Sequence, residues 1–278
     1  MTPDQATVRV QDLRKSFFDE ARGEVKAVDG VTFSCRPGEV FGLLGANGAG
    51  KTTTLRVLST VLRPTGGYAS VMGHDVLGEP EAVRRSLGFY SASTALYPRL
   101  TGRETLEFFA RINGYPPGAV HARVKALVDR FGIREYADAR VEKLSTGMKQ
   151  KVSIARTVAH DPPVLIFDEP TVGLDVLNAL EMAKMVRELR DEGKTILYSS
   201  HIMSEVEKLC DRIGIIHRGG LLALGTLESL REETGQHYLE DIFVHHVTRA
   251  EGSEAMGIGV MGELQETPGH GRSQEGAL

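Results

Sequence analysis

Short unbroken apolar runs alternate with amphipathic stretches along this chain. Val40-Phe41-Gly42-Leu43-Leu44, Val164-Leu165-Ile166-Phe167 and Thr195-Ile196-Leu197-Tyr198 have the pattern of strands buried on both faces. Leu55, Leu58 and Leu62 follow the first run at helical spacing, and residues 176–191 read as a helix between the other two. Thr7-Val8-Arg9-Val10 alternates, as do Val31, Phe33 and Cys35 ahead of Pro37-Gly38; these predict an antiparallel sheet beside the parallel core. Ile213-Gly214-Ile215-Ile216 and Leu221-Leu222-Ala223 flank Arg218-Gly219-Gly220, a predicted hairpin. The alternation of strand and helix argues for an α/β fold with a parallel sheet covered on both faces.

Between these segments the period changes. Residues 66–88 read as turns and short strands. Thr101 and Glu104 make a capping box, with Leu106, Phe109 and Ala110 following on one helical face. Asn113-Gly114-Tyr115-Pro116-Pro117 breaks that helix, and Val120, Val124, Leu127, Val128 and Phe131 define another. Residues 92–145 are therefore expected to be a helical insert. After residue 247 glycines crowd with Glu, Ser, Gln and Pro268 and no period survives, which predicts one domain over 1–246 and a disordered tail over 247–278. No internal repeat suggests a second domain.

Composition removes several classes of function. With 278 residues, 41% of them hydrophobic and 25% charged, the chain can bury a core of ordinary size. The net charge of -4 gives no electrostatic reason to expect a nucleic-acid partner. No apolar run approaches the roughly 18 residues of a membrane-spanning helix, and Met1-Thr2-Pro3-Asp4 opens without a secretory signal. Cys35 and Cys210 stand alone, in no metal-ligand or redox spacing. The expectation is a cytoplasmic protein that reaches a membrane only through a partner.

The candidate chemistry starts at Gly45-Ala46-Asn47-Gly48-Ala49-Gly50-Lys51-Thr52-Thr53, which fits G-x-x-x-x-G-K-[ST] between a predicted strand and a predicted helix. The glycines let successive N–H groups converge on phosphate oxygens, and the helix start adds free amides. Lys51 supplies charge for the outer phosphates, and Thr52 a hydroxyl for Mg²⁺. Asp168 and Glu169 leave the strand ending at Phe167, at the carboxyl edge where ligands collect. Adjacent acids there need a cation: Asp168 is expected in the metal shell, and Glu169 as acceptor of a proton from an attacking water. His201 ends the next strand and is placed to hold phosphate and water. Ser145 is a natural N-cap, so Ser145, Thr146 and Gly147 open a second helix able to bind an anion. Phe17 and Phe18 fit either adenine stacking or sheet packing. His237, His245 and His246 read as a solvated tail rather than a metal site.

Taken in series, the Gly45–Thr53 loop, Leu144-Ser145-Thr146-Gly147-Met148, Ile166-Phe167-Asp168-Glu169-Pro170, Gly173-Leu174-Asp175 and Ser199-Ser200-His201 resemble an ABC ATPase over residues 7–245. The resemblance implies a P-loop NTPase fold: a mixed, mainly parallel core sheet, an antiparallel β subdomain and an inserted α-helical subdomain. It implies an ATP-hydrolysing subunit that uses ATP and Mg²⁺. Two copies would form a head-to-tail homodimer, with ATP between the Lys51 loop of one and Ser145, Thr146 and Gly147 of the other. Asp175 would link the two sites, and Phe17 would stack on adenine. A separate polytopic membrane permease would seat a helix near Leu96–Leu100, placing the protein at the inner face of the cell membrane. Ala92 stands where the family usually has Gln, so Ser91, Ser93 or water must substitute. Thr146 and Met148 replace the usual Gly and Gln, and this version resembles a bacterial exporter branch that includes sodium-efflux ATPases. The competing class, a soluble ABC ATPase acting on nucleic acid or ribosomes, usually carries a long coiled coil or two nucleotide domains. This sequence has neither.

Overall fold

The alternating N-terminal stretches form one long antiparallel pair in this computed structural model, which describes residues 6–21 and 23–262. β1 (Val8–Asp19) pairs with β2 (Gly23–Cys35), so Leu13–Phe18 lie within a strand. β3 (Val40–Leu44), buried at every position, leads into α1 (Lys51–Leu58). Leu62 lies beyond the end of α1 and packs on the core from the following turn. β4 (Gly66–Val71) and β5 (His74–Asp75) complete a four-stranded antiparallel sheet in the order β2-β1-β4-β5.

α2 (Pro80–Ser86) was not expected within 66–88. Proline at its first position costs no hydrogen bond, and Val83 alone is buried, too little to make a visible period. β6 (Leu87–Ser91) ends where the helical insert begins, and α3 (Gly102–Ile112), α4 (Val120–Arg130) and α5 (Thr146–Thr157) follow. The capping box of α3 is formed: Glu104 N–H donates to Thr101 Oγ1 at 3.1 Å, and Thr101 N–H to Glu104 Oε2 at 2.8 Å. β7 (Val164–Asp168), α6 (Val176–Asp191), β8 (Thr195–Ser200), α7 (Met203–Leu209), β9 (Arg212–His217), β10 (Gly220–Gly225), α8 (Leu227–Thr234) and α9 (Leu239–Gly262) complete the described chain.

The second sheet runs β10-β9-β3-β8-β7-β6, parallel except for β10, which forms the expected hairpin with β9. Phe33 on β2 stacks on Phe41 on β3 with ring centroids 4.9 Å apart, joining the two sheets; such a pair adds about 0.5–1.5 kcal/mol beyond its buried area. A second core gathers α3, α4 and α5 around Leu106, Val124, Leu127 and Val152, and continues to Phe167 and Tyr198.

The expectation of a disordered tail needs correction over residues 247–262, which continue α9. The helix is anchored from its first turns: Leu239 and Ile242 are buried with Val206, Ile213 and Leu230. Glu251 then pairs with Arg218 at 2.9 Å. His246 is buried on this helix rather than solvated, as is most of His217 on β9. Residues 263–278 lie outside the described residues.

Candidate functional site

The Gly45–Thr53 loop joins β3 to α1, and its glycines answer to close neighbours. A Cβ on Gly45 would collide with the Ile216 carbonyl. Gly50 sits at φ 109°, and a Cβ there would lie 2.5 Å from the Ala27 carbonyl oxygen. Gly219, in the β9–β10 turn, donates its N–H to Ala49 O at 2.9 Å and accepts from Asp29 N–H at 2.9 Å. The loop is therefore wedged between β2 and a turn made late in the sequence. Residues 47–53, with Ala27 and Glu169, wall a pocket of about 200 Å³. Ala46, Asn47 and Gly48 are exposed, Ala49 and Gly50 buried, and Thr52 and Thr53 half-buried at the helix start.

β3, β8 and β7 are adjacent and parallel, so their carboxyl ends deliver Lys51, His201, Asp168 and Glu169 to one edge. The Lys51 side chain is 3% exposed, and Nζ lies 3.1 Å from Glu169 Oε1. It donates to Gly45 O at 2.7 Å and Ala46 O at 3.1 Å. A buried ammonium needs such a counter-charge. Asp168 is held from two neighbouring strands and a helix. Its Oδ1 accepts from Thr52 Oγ1 at 3.0 Å and Ser199 Oγ at 2.8 Å, and its Oδ2 from Ser91 Oγ at 3.3 Å. Glu169 turns out of the strand at φ 47°, steadied by its N–H donating to Ser199 Oγ at 3.1 Å. His201 Nδ1 lies 3.4 Å from the same Glu169 Oε1, close enough to pair when charged but without hydrogen-bond geometry in this state.

Other expected residues lie elsewhere on the chain. Phe17 is 42% exposed on β1, opposite Val25 on β2. Val25 lies two residues before Ala27, which lines the pocket, and the β1–β2 register shifts at Ala27. Lys15 Nζ stands 4.9 Å from the Phe17 ring centroid. Ser145, Thr146 and Gly147 are exposed at the start of α5 and do not meet the Lys51 pocket within one chain. Ser145 does cap the helix, accepting from Met148 N–H at 3.3 Å. A Cβ on Gly147 would meet nothing within 4 Å, so nothing inside the chain requires glycine there. Asp175 caps α6, accepting from the Leu177 and Asn178 N–H groups at 3.0 Å. The Asn178 backbone and side-chain amides hold its carboxyl below the usual range.

The sequence motifs contained Ser91, Ser93 and Ser199 but not the hydrogen bonds by which such residues hold these groups in place. Ser199 bridges Asp168 and the Glu169 N–H, and Gln150 on α5 donates to Pro170 O at 3.1 Å. Beside the exposed Ala92, Ser91 and Ser93 share a hydrogen bond of 3.0 Å, and Arg56 donates to Ser93 at 3.3 Å. Single hydroxyls have no spacing rule; only their position at strand ends could have marked them.

Comparison with known proteins agrees with this geometry. The sequence model of the ABC transporter family matches residues 28–172. The chain is 42% identical over 243 residues to the ABC transporter ATP-binding protein NatA of Bacillus subtilis, covering 87% of this chain and 98% of that one. It is 41% identical over 227 residues to the Nod factor export ATP-binding protein I of Burkholderia lata, covering 82% and 73%. A solved ATP-binding subunit of an ABC transporter superposes with a TM-score of 0.79 at 31% identity, covering 87% of this chain and 99% of that one. The chain therefore belongs to the ABC transporter family, as its ATP-binding and ATP-hydrolysing subunit.

Proposed function

We propose that the phosphates of ATP lie over Gly45–Thr53 and that Lys51 exchanges the Glu169 carboxylate for the β- and γ-phosphates. Freed from Lys51, Glu169 accepts a proton from water as the water oxygen attacks the γ-phosphorus; the bond to ADP breaks and phosphate leaves. His201 holds the γ-phosphate and the water, and Phe17 stacks on the adenine. Thr52 and Asp168 fit Mg²⁺ and would hold it, because both offer oxygen donors side by side. Mg²⁺ supplies positive charge against the triphosphate. The observation that carries this reading is the convergence of Lys51 and His201 on one Glu169 carboxylate oxygen.

The exposed start of α5 supports a second copy as its partner. Ser145, Thr146 and Gly147 present helix-start amides away from their own pocket, and Gly147 is small where no neighbour in the chain demands it. A two-fold pairing would lay this start on the phosphates of the partner subunit, so hydrolysis would loosen the pair. Among the described residues no helix is long and apolar enough to cross a membrane. The proposed partner is a separate polytopic permease seated on the helical insert near Leu96–Leu100, at the inner face of the cell membrane. The Nod factor export relative supports an exporter. Purification of a tagged chain from membranes tests this reading: a co-purifying polytopic protein supports it, and ribosomes or DNA in its place overturn it.

A further inference from the structure

Behind the reacting groups lies a carboxylate that touches none of them. Glu205, in the first turn of α7, accepts three hydroxyl hydrogen bonds on a single oxygen. Its Oε2 receives Thr171 Oγ1 at 2.9 Å, Tyr198 Oη at 3.0 Å and Ser200 Oγ at 3.1 Å. All three donors are buried. They come from two separate segments: Thr171 stands two residues after Glu169, and Ser200 immediately before His201. Ser200 Oγ also accepts from Ile202 N–H at 3.0 Å, so the backbone is held on both sides of His201. Gln150 pins the intervening Pro170 carbonyl from α5. The two segments held by Glu205 are those whose side chains meet as Glu169 Oε1 and His201 Nδ1, 3.4 Å apart.

We propose that Glu205 is a positioning residue for hydrolysis: through Thr171 and Ser200 it fixes the separation of Glu169 and His201. Glu205 therefore governs turnover, while nucleotide affinity stays with the Gly45–Thr53 loop, which it does not touch. Charged acceptors make the stronger hydrogen bonds, and one oxygen shared by three donors moves them as a unit. The inference rests on the roles proposed above for Glu169 and His201.

Steady-state hydrolysis and ADP binding by the full chain test it. Glu205→Ala is expected to lower kcat by about 10- to 100-fold, the scale of a misplaced reacting group, with KM for ATP and Kd for ADP unchanged. Glu205→Gln keeps one acceptor oxygen and recovers part of the loss. Thr171→Val and Ser200→Ala each lower kcat, and neither adds its full effect to Glu205→Ala, because both act through the same carboxylate. These two variants carry the test if Glu205→Ala does not fold. A parental kcat in Glu205→Ala, or a fall matched by equal loss of ADP affinity, overturns the proposal. Glu169→Gln is measured alongside. If it stops turnover while Glu205→Ala does not, the positioning inference alone fails; if Glu169→Gln turns over normally, the role proposed for Glu169 fails.

Discussion

Lys51 Nζ stands 3.1 Å from Glu169 Oε1, so the chain pairs its candidate phosphate-binding cation with its own candidate base. In the proposed mechanism nucleotide displaces that carboxylate before either group acts. Glu169→Gln removes the base but keeps an amide oxygen that can accept from Lys51. Turnover is expected to fall about 10²-fold or more, with ATP binding retained and a dimer persisting in ATP and Mg²⁺. Phosphate release and size-exclusion chromatography measure both; turnover like the parent's would remove Glu169 from the role.

Lys51→Ala leaves Glu169 without its cation and the phosphates without a charged donor. Nucleotide binding is expected to disappear in calorimetric titration with ATP. Tight binding by this variant would count against the whole placement of the site.

Ser199 Oγ donates to Asp168 and receives the Glu169 N–H, so it fixes the direction of the proposed metal ligand. Partners behind a ligand are commonly worth 10- to 100-fold in metal affinity. Ser199→Ala should raise the Mg²⁺ concentration for half-maximal turnover by about 10-fold. An unchanged Mg²⁺ titration would show that Thr52 and Ser91 hold Asp168 alone.

His160 supplies a pH dependence separate from catalysis. Burial of its imidazole pushes it down from 6.5 to about 4. The unfolded chain therefore binds this proton first, and the stability His160 contributes is complete above about pH 6.5 and lost as pH falls towards 4. Between pH 7 and 5 the loss amounts to about 2 kcal/mol. Denaturant unfolding at the two pH values measures it, and His160→Leu should flatten the slope; an equal slope in the variant would place the dependence elsewhere.

Local chemistry explains what the sequence made legible. Gly45–Thr53, the buried runs at 40–44, 164–168 and 195–200, and the Thr101 capping box each have their cause within a few residues. Asp168, Glu169 and His201 could be placed because parallel strands deliver their carboxyl ends to one edge. Longer-range causes hid the rest. Residues 247–262 are compositionally loose, yet they continue a helix whose first turns bury Leu239 and Ile242 against elements as early as β3. Ser199 and Gln150 matter through single hydrogen bonds to distant residues, which leave no period. Ser145–Gly147 could be read as a capped helix start able to bind an anion, but the surface proposed to complete that site lies outside the chain.

The order of strands has a consequence for synthesis. β3 is made early, but both strands beside it are late: β8 at Thr195–Ser200 and β9 at Arg212–His217. Gly219, which braces the phosphate loop, is later still. A nascent chain thus holds the apolar β3 without either neighbouring strand until residues 195–217 are made. During that interval the unpaired strand is an aggregation-prone surface.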